Sequence, residues 1–177
     1  MCLLRKLDFE SLTKIWEQGR HDPDWPLSEV THAALKTLVM RHLSAELLGF
    51  GLIRGIEVNQ QLVGFITLNK IDESWLRPAT TAVEGGTYIL PSHRGRGFNL
   101  PVKQAMLQMA YNQLDSQWCV FLVPKNNQRA QRALANLPQT VHVETIDNPL
   151  LFRRLLRRKS WEVSKELILY GFRRDAD

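Results

Sequence analysis

Cysteine is scarce: two residues in 177, standing far apart at positions 2 and 119. They can build neither a disulfide framework nor a Cys-x-x-Cys motif. Cys119 lies inside the apolar run 118–123, where a thiol behaves as a small buried hydrophobe, so a reducing cytoplasm is the expected setting. Long hydrophobic runs are missing too. None approaches the roughly 20 residues that cross a bilayer, and residues 1–10 lack the apolar stretch of a signal peptide. The histidines at 21, 32, 42, 93 and 142 show no metal-ligand spacing, so no metal site is expected. No nucleophile-elbow motif is present, which removes the sequence signal for an α/β-hydrolase. Acidic residues thin out in one window. Between Glu84 and Glu144 only Asp115 is acidic, while Arg94, Arg96, Lys103, Lys125, Arg129 and Arg132 all fall there. Such a surface tolerates a polyanionic ligand.

What is present suits one ordinary domain over residues 1–177, with 44% apolar and 23% charged residues and neither repeat nor linker. Residues 1–148 hold 15 Lys and Arg against 14 Asp and Glu, so most of the formal +5 charge lies in the C-terminal tail. There Asn148-Pro149 can start a helix with Leu151, Phe152, Leu155 and Leu156 on one face and Arg153, Arg154, Arg157 and Arg158 on the other. Its bland reading is a surface helix with solvated arginines. Its sharper readings are an acidic or phosphate-bearing partner, RNA, or an anionic membrane surface.

Asp8 followed by Phe9, Leu12, Ile15 and Trp16, ending at Gly19, predicts a short amphipathic helix. Ser28 can cap a longer one that runs to Gly49. Residues 53–58 and 62–68 read as a hairpin around the turn 59–61. Residues 71–83 read as a connection, 87–90 as a short strand stopped by Pro91, and 118–123 as a strand buried on both faces. Val102, Ala105, Met106, Met109 and Ala110 repeat at helical spacing, and another helix spans about 128–137. Residues 140–144 and 167–172 close the pattern as strands. The fold class is α+β, a mixed sheet with helices.

Between the strand and helix lies Pro91-Ser-His-Arg94-Gly95-Arg96-Gly97-Phe98. Glycines let such a turn bend tightly, and its free amides, with the helix dipole, favour an anion. It is no P-loop, because no Gly-Lys-Ser/Thr follows, and it lacks the third glycine of a dinucleotide fingerprint. ATP and NAD are disfavoured.

With Val63-Gly-Phe65 before it and Asn127-Gln-Arg-Ala130 after the buried strand, this turn resembles the GNAT superfamily of acyl-CoA-dependent N-acyltransferases, over residues 53–137. The resemblance implies a central mixed, mostly antiparallel sheet in which two parallel strands splay apart to admit acetyl-CoA or another acyl-CoA. It implies transfer of an acyl group, most simply acetyl, to an amine acceptor, small molecule or protein, by direct attack. By the same resemblance, the backbone of Arg94, Gly95, Arg96, Gly97 and Phe98, with Asn99, would bind the pyrophosphate. Ile89 and Leu90 would line the pantetheine, and Asn127 would add a contact. The family's frequent acid tyrosine falls at Leu134, so that acid is missing. Glu84 is the candidate base, against a reading as a solvated loop residue. Tyr88 is the candidate donor, against a reading as strand packing. Two alternatives stand beside the enzyme: a catalytically weak acyl-CoA-binding protein of the same fold, and a nucleic-acid module using the basic C-terminal helix.

Overall fold

The first helix begins where expected. Asp8 accepts the amide hydrogen of Ser11 at 2.7 Å, satisfying a donor that a helix start leaves orphaned. In this computed structural model, residues 2–25, 31–76, 78, 80–137, 141–142 and 167–174 are described. The chain runs β1 (Cys2–Lys6), α1 (Phe9–Gly19), α2 (His32–Leu47), β2 (Gly51–Val58), β3 (Gln61–Lys70), β4 (Ala82–Ile89), α3 (Asn99–Asn112), β5 (Trp118–Pro124), α4 (Gln128–Ala135), β6 (Val141–His142) and β7 (Leu167–Arg173). Among the described residues, seven strands form one sheet in the order β1-β2-β3-β4-β5-β7-β6. Every pairing is antiparallel except β4 with β5.

Several expectations change in detail. β1 was not foreseen: its Arg5 and Lys6 break any apolar alternation, as charges often do on an edge strand, and Arg5 pairs with Glu57 at 2.9 Å. α2 is capped by Thr31, whose hydroxyl accepts from the Ala34 amide at 3.2 Å, not by Ser28. The hairpin closes on a two-residue turn, Asn59 and Gln60, both at positive φ, with Val58 opposite Gln61. β4 begins at Ala82, five residues before the strand read from sequence, because the pair Gly85-Gly86 hides its first half. The basic helix proposed from Pro149 onward lies outside the described residues. Among those described, no helix is long and apolar enough to cross a membrane.

The sheet has two covered faces. On one, α3 and α4 pack Val102, Met106, Ala110 and Leu134 against Val63, Val83 and Phe121. On the other, α1 and α2 pack Leu12, Ile15, Leu35 and Val39 against Ile53, Phe65 and Tyr88. Side chains alternate along β4, so its odd and even residues serve different faces. Thr87 reaches Met106 of α3, whereas Tyr88 stacks against Phe65 and Trp25 in the other layer. Cys119 is buried as expected, and burial pushes its thiol up to about 12.

Candidate active site

β4 and β5 do not stay together. Their register runs Ala82 to Trp118, Val83 to Cys119 and Glu84 to Val120, and ends there. β4 continues to Ile89 and β5 to Pro124, so the two parallel strands open a gap beyond Glu84. No strand bridges that gap among the described residues, and it leads into a cavity of about 420 Å³, within the range of ligand sites.

The turn at the mouth of this cavity owes its shape to two glycines. Gly95 and Gly97 have φ of +76° and +81°, and, their chain neighbours aside, no heavy atom of the described residues lies within 4 Å of where either Cβ would be. Glycine is needed there for backbone conformation, not for space. α3 starts at Asn99, with Pro101 inside its first turn, where a missing N–H is tolerated. Among the described residues, no backbone acceptor takes the amides of residues 95–100. Free N–H donors at a helix N-terminus fit a phosphate-bearing group. Beside them Asn99 buries an Oδ1 with no hydrogen-bond partner among the described residues, an acceptor suited to a donor on a ligand and not to its phosphate.

The structure brings most of the sequence candidates together. Tyr88, Ile89, Arg94, Gly95, Gly97, Phe98, Asn99 and Asn127 line the cavity, joined by Thr87, Lys103, Arg129 and Arg132. Asn127 also caps α4, its Oδ1 accepting from the Ala130 amide at 3.1 Å. Glu84, Leu90 and Arg96 are not among the lining residues: Glu84 is buried within β4, Leu90 is buried in the α1/α2 layer, and Arg96 is exposed. Leu134 is fully buried in the core, so the position offers no acid.

Glu84 is not a solvated loop residue. It sits within β4, 8% exposed, at the last paired position before the strands part. By alternation it shares the even face with Tyr88, on the side of α1 and α2. Tyr88 is tied into that layer. Its hydroxyl donates to Asp22 at 2.9 Å, and burial, then the Asp22 carboxylate, hold its pKa well above the usual phenol range.

Sequence reasoning missed Asp22. It accepts from both terminal nitrogens of Arg94, whose Nε donates to the Ile89 carbonyl at 2.8 Å and whose plane lies 5.5 Å from the Tyr88 ring centroid. Asp24 adds a contact to Arg94 at 3.2 Å and one to Arg129 at 3.6 Å. Burial opposes ionisation of Asp22. Hydrogen bonds from Arg94, the Asp24 amide and Tyr88 outweigh it and hold the carboxyl below the usual carboxylate range. The Arg94 side chain therefore anchors the turn to the segment after α1. Partners 72 residues apart leave no local signal of such a link.

The comparisons agree with this geometry. Residues 2–137 match the family model described as an acetyltransferase (GNAT) domain. No curated protein matches the sequence. Among solved structures, the chain is similar to RimL, a ribosomal alpha-N-protein acetyltransferase in complex with coenzyme A, at 15% identity and TM-score 0.72, covering 99% of this chain and 96% of that one. It is also similar to a chimera of the Vibrio cholerae spermidine N-acetyltransferase SpeG, at 16% identity and TM-score 0.71, covering 97% and 95%. Mycobacterium smegmatis RimJ with a CoA disulfide follows at 13% identity and TM-score 0.71, covering 97% and 81%. At these identities the structures establish the fold, and the family model, which takes in most of the sequence, establishes the lineage: the chain belongs to the GNAT acetyltransferase family.

Proposed function

We propose that this protein transfers an acyl group, most simply acetyl, from acyl-CoA to an amine. The observation that carries the reading is the conjunction of the opened β4/β5 gap with a glycine turn whose amides find no backbone acceptor among the described residues. The turn amides and the first turn of α3 would hold the pyrophosphate, helped by Arg129 and Arg132 on the cavity wall. The gap along Thr87 and Ile89 would take the pantetheine arm, with Asn127 at its opposite wall. Acyl-CoA supplies an activated carbonyl with a good leaving group.

The protein's share of the chemistry is then positioning and proton removal. An amine arriving from the α1/α2 side meets Glu84 at the vertex of the gap, where the carboxylate can take the proton that the nitrogen must lose. Tyr88 is assigned to packing: its hydroxyl is spent on Asp22, and it keeps the α1 layer in register with the strand. Spermidine and a protein N-terminus are the acceptors named for similar structures, so a polyamine and an amino-terminal peptide are the first to try.

Calorimetric titration with acetyl-CoA and free CoA tests the reading, alongside a Gly95→Val/Gly97→Val variant. A side chain at these φ values costs about 1–2 kcal/mol per residue, so affinity should fall at least about tenfold while the folded core persists. Binding by the parent protein followed by turnover with an amine supports the enzyme; binding without turnover of any amine favours the catalytically weak binder. No binding of either ligand overturns the acetyl-CoA reading.

A further inference from the structure

Lys103 is the anomaly of the cavity. It belongs to the inner face of α3 with Val102, Met106 and Leu107, yet it is a lysine, and only 5% of it is exposed. Burying an ammonium is expensive unless its charge is answered by hydrogen bonds or a π face. Two such answers are visible, and they come from opposite sides of the gap. Its Nζ donates to Thr87 Oγ1 on β4 at 2.8 Å, and lies 3.9 Å from the ring centroid of Phe121 on β5. Phe121 is the first residue of β5 beyond the last pair, so the ammonium spans the gap close to its vertex. The glycine turn, Thr87 and Lys103 line one and the same cavity.

We propose that Lys103 is the group that answers the leaving sulfur, in place of the acid that Leu134 cannot supply. This rests on the acyltransferase reading above. An arm anchored by its phosphates at the turn and laid along the gap would bring its sulfur end toward the vertex, where the Lys103 ammonium sits between Thr87 of β4 and Phe121 of β5. As the acceptor nitrogen bonds to the acyl carbon and the carbon–sulfur bond breaks, the bonding electron pair goes to sulfur. Lys103 stabilises that charge and gives sulfur a proton. Glu84 takes one from the nitrogen, and water returns it to the lysine amine, so protons and electrons balance. Thr87 and Phe121 are positioning residues that hold the ammonium there.

The test needs no acceptor. A cation beside a thiol lowers its pKa by at least about one unit, so bound CoA should ionise at lower pH than free CoA. Calorimetric affinities for CoA and for S-methyl-CoA, which cannot ionise, are compared from about pH 7 to about pH 9. Wild-type protein should come to prefer CoA by about tenfold across that range, and the ultraviolet absorbance of bound thiolate should rise in step. Lys103→Met should lose the preference while retaining S-methyl-CoA affinity, and Lys103→Arg should keep it. A wild-type protein that binds both ligands with one pH profile overturns the proposal, whether or not the variants fold. Failure to bind either ligand removes the acyltransferase reading itself.

Discussion

The two faces of β4 solve different problems with different materials. The odd residues face α3, where the strand parts from β5, leaving a cavity shaped by backbone: two glycines at positive φ, a helix start and a row of amides. The even residues face α1 and α2, where side chains close the structure: Asp22, Arg94 and Tyr88 interlock, and Trp25 stacks at 4.6 Å on Tyr88. One face stays open to take a ligand, and the other is sealed so that the open face keeps its shape. Arg94 joins them, since it belongs to the turn by sequence and to the sealed layer by its side chain.

The largest effect that sharpens this contrast is at Glu84, on the sealed side but at the edge of the gap. Glu84→Gln would remove the proposed base while keeping the side chain's size. The rate of acyl transfer to an amine should fall by about 10²–10⁴, while calorimetry finds CoA affinity unchanged. A parallel loss of CoA affinity would show that the faces are not separable in this way.

Cutting the link between the faces comes next. Asp22→Asn leaves Arg94 without its main counter-charge, with Asp22 4% and Arg94 16% exposed at the side chain. Losing one partner of a buried pair costs about 3–5 kcal/mol, and the remaining contact to Asp24 brings the expected loss nearer 3. Denaturant unfolding measures it. Because the Asp22 pKa is depressed in the folded state, its contribution is complete above the unfolded carboxylate pKa and fades as pH falls through the folded value. The difference between wild type and variant should therefore shrink only in acid. If CoA affinity drops with stability, the open face depends on the sealed one through Arg94.

His42 reports on the sealed layer alone. It lies on the buried face of α2, 2% exposed, and its Nδ1 has no hydrogen-bond partner among the described residues. Burial first, and then Arg41, lower its pKa to about 4. The folded state thus refuses a proton that the unfolded chain accepts below about pH 6.5. Stability should be full above that pH and decline by about 2 kcal/mol as pH falls to about 4.5. His42→Leu should flatten that slope in denaturant melts at a series of pH values.

The open face was largely legible in the sequence because its determinants are local. Gly95, Gly97, the start of α3 near Asn99 and the buried strand 118–123 all show in short windows, as does the basic character of the cavity wall at Arg129 and Arg132. The sealed face was not, nor was the buried cation of the open one. Asp22 carried no signal of its own, Glu84 stood as a candidate base against a solvated loop reading, and Lys103 looked like one more positive charge in an acid-poor window. Each gains its meaning from partners brought up by the fold: Arg94, the β5 register and the Phe121 ring. Glycine at positive φ is a property of one residue, whereas an ion pair across the molecule is a property of a topology.

Tyr88 gives the smallest effect and the finest discrimination between the faces. It touches both, lining the cavity while spending its hydroxyl on Asp22. If the ring and its bond to Asp22 are its whole role, Tyr88→Phe removes one hydrogen bond and keeps the stack on Trp25 and Phe65. Stability should then fall by about 1 kcal/mol, with the rate of acyl transfer within about twofold of wild type. A hydroxyl that delivered a proton in the reaction would instead cost about 10²-fold or more in rate. The raised phenol pKa argues for the first outcome, because a proton held by burial and by a neighbouring carboxylate is poorly placed to leave.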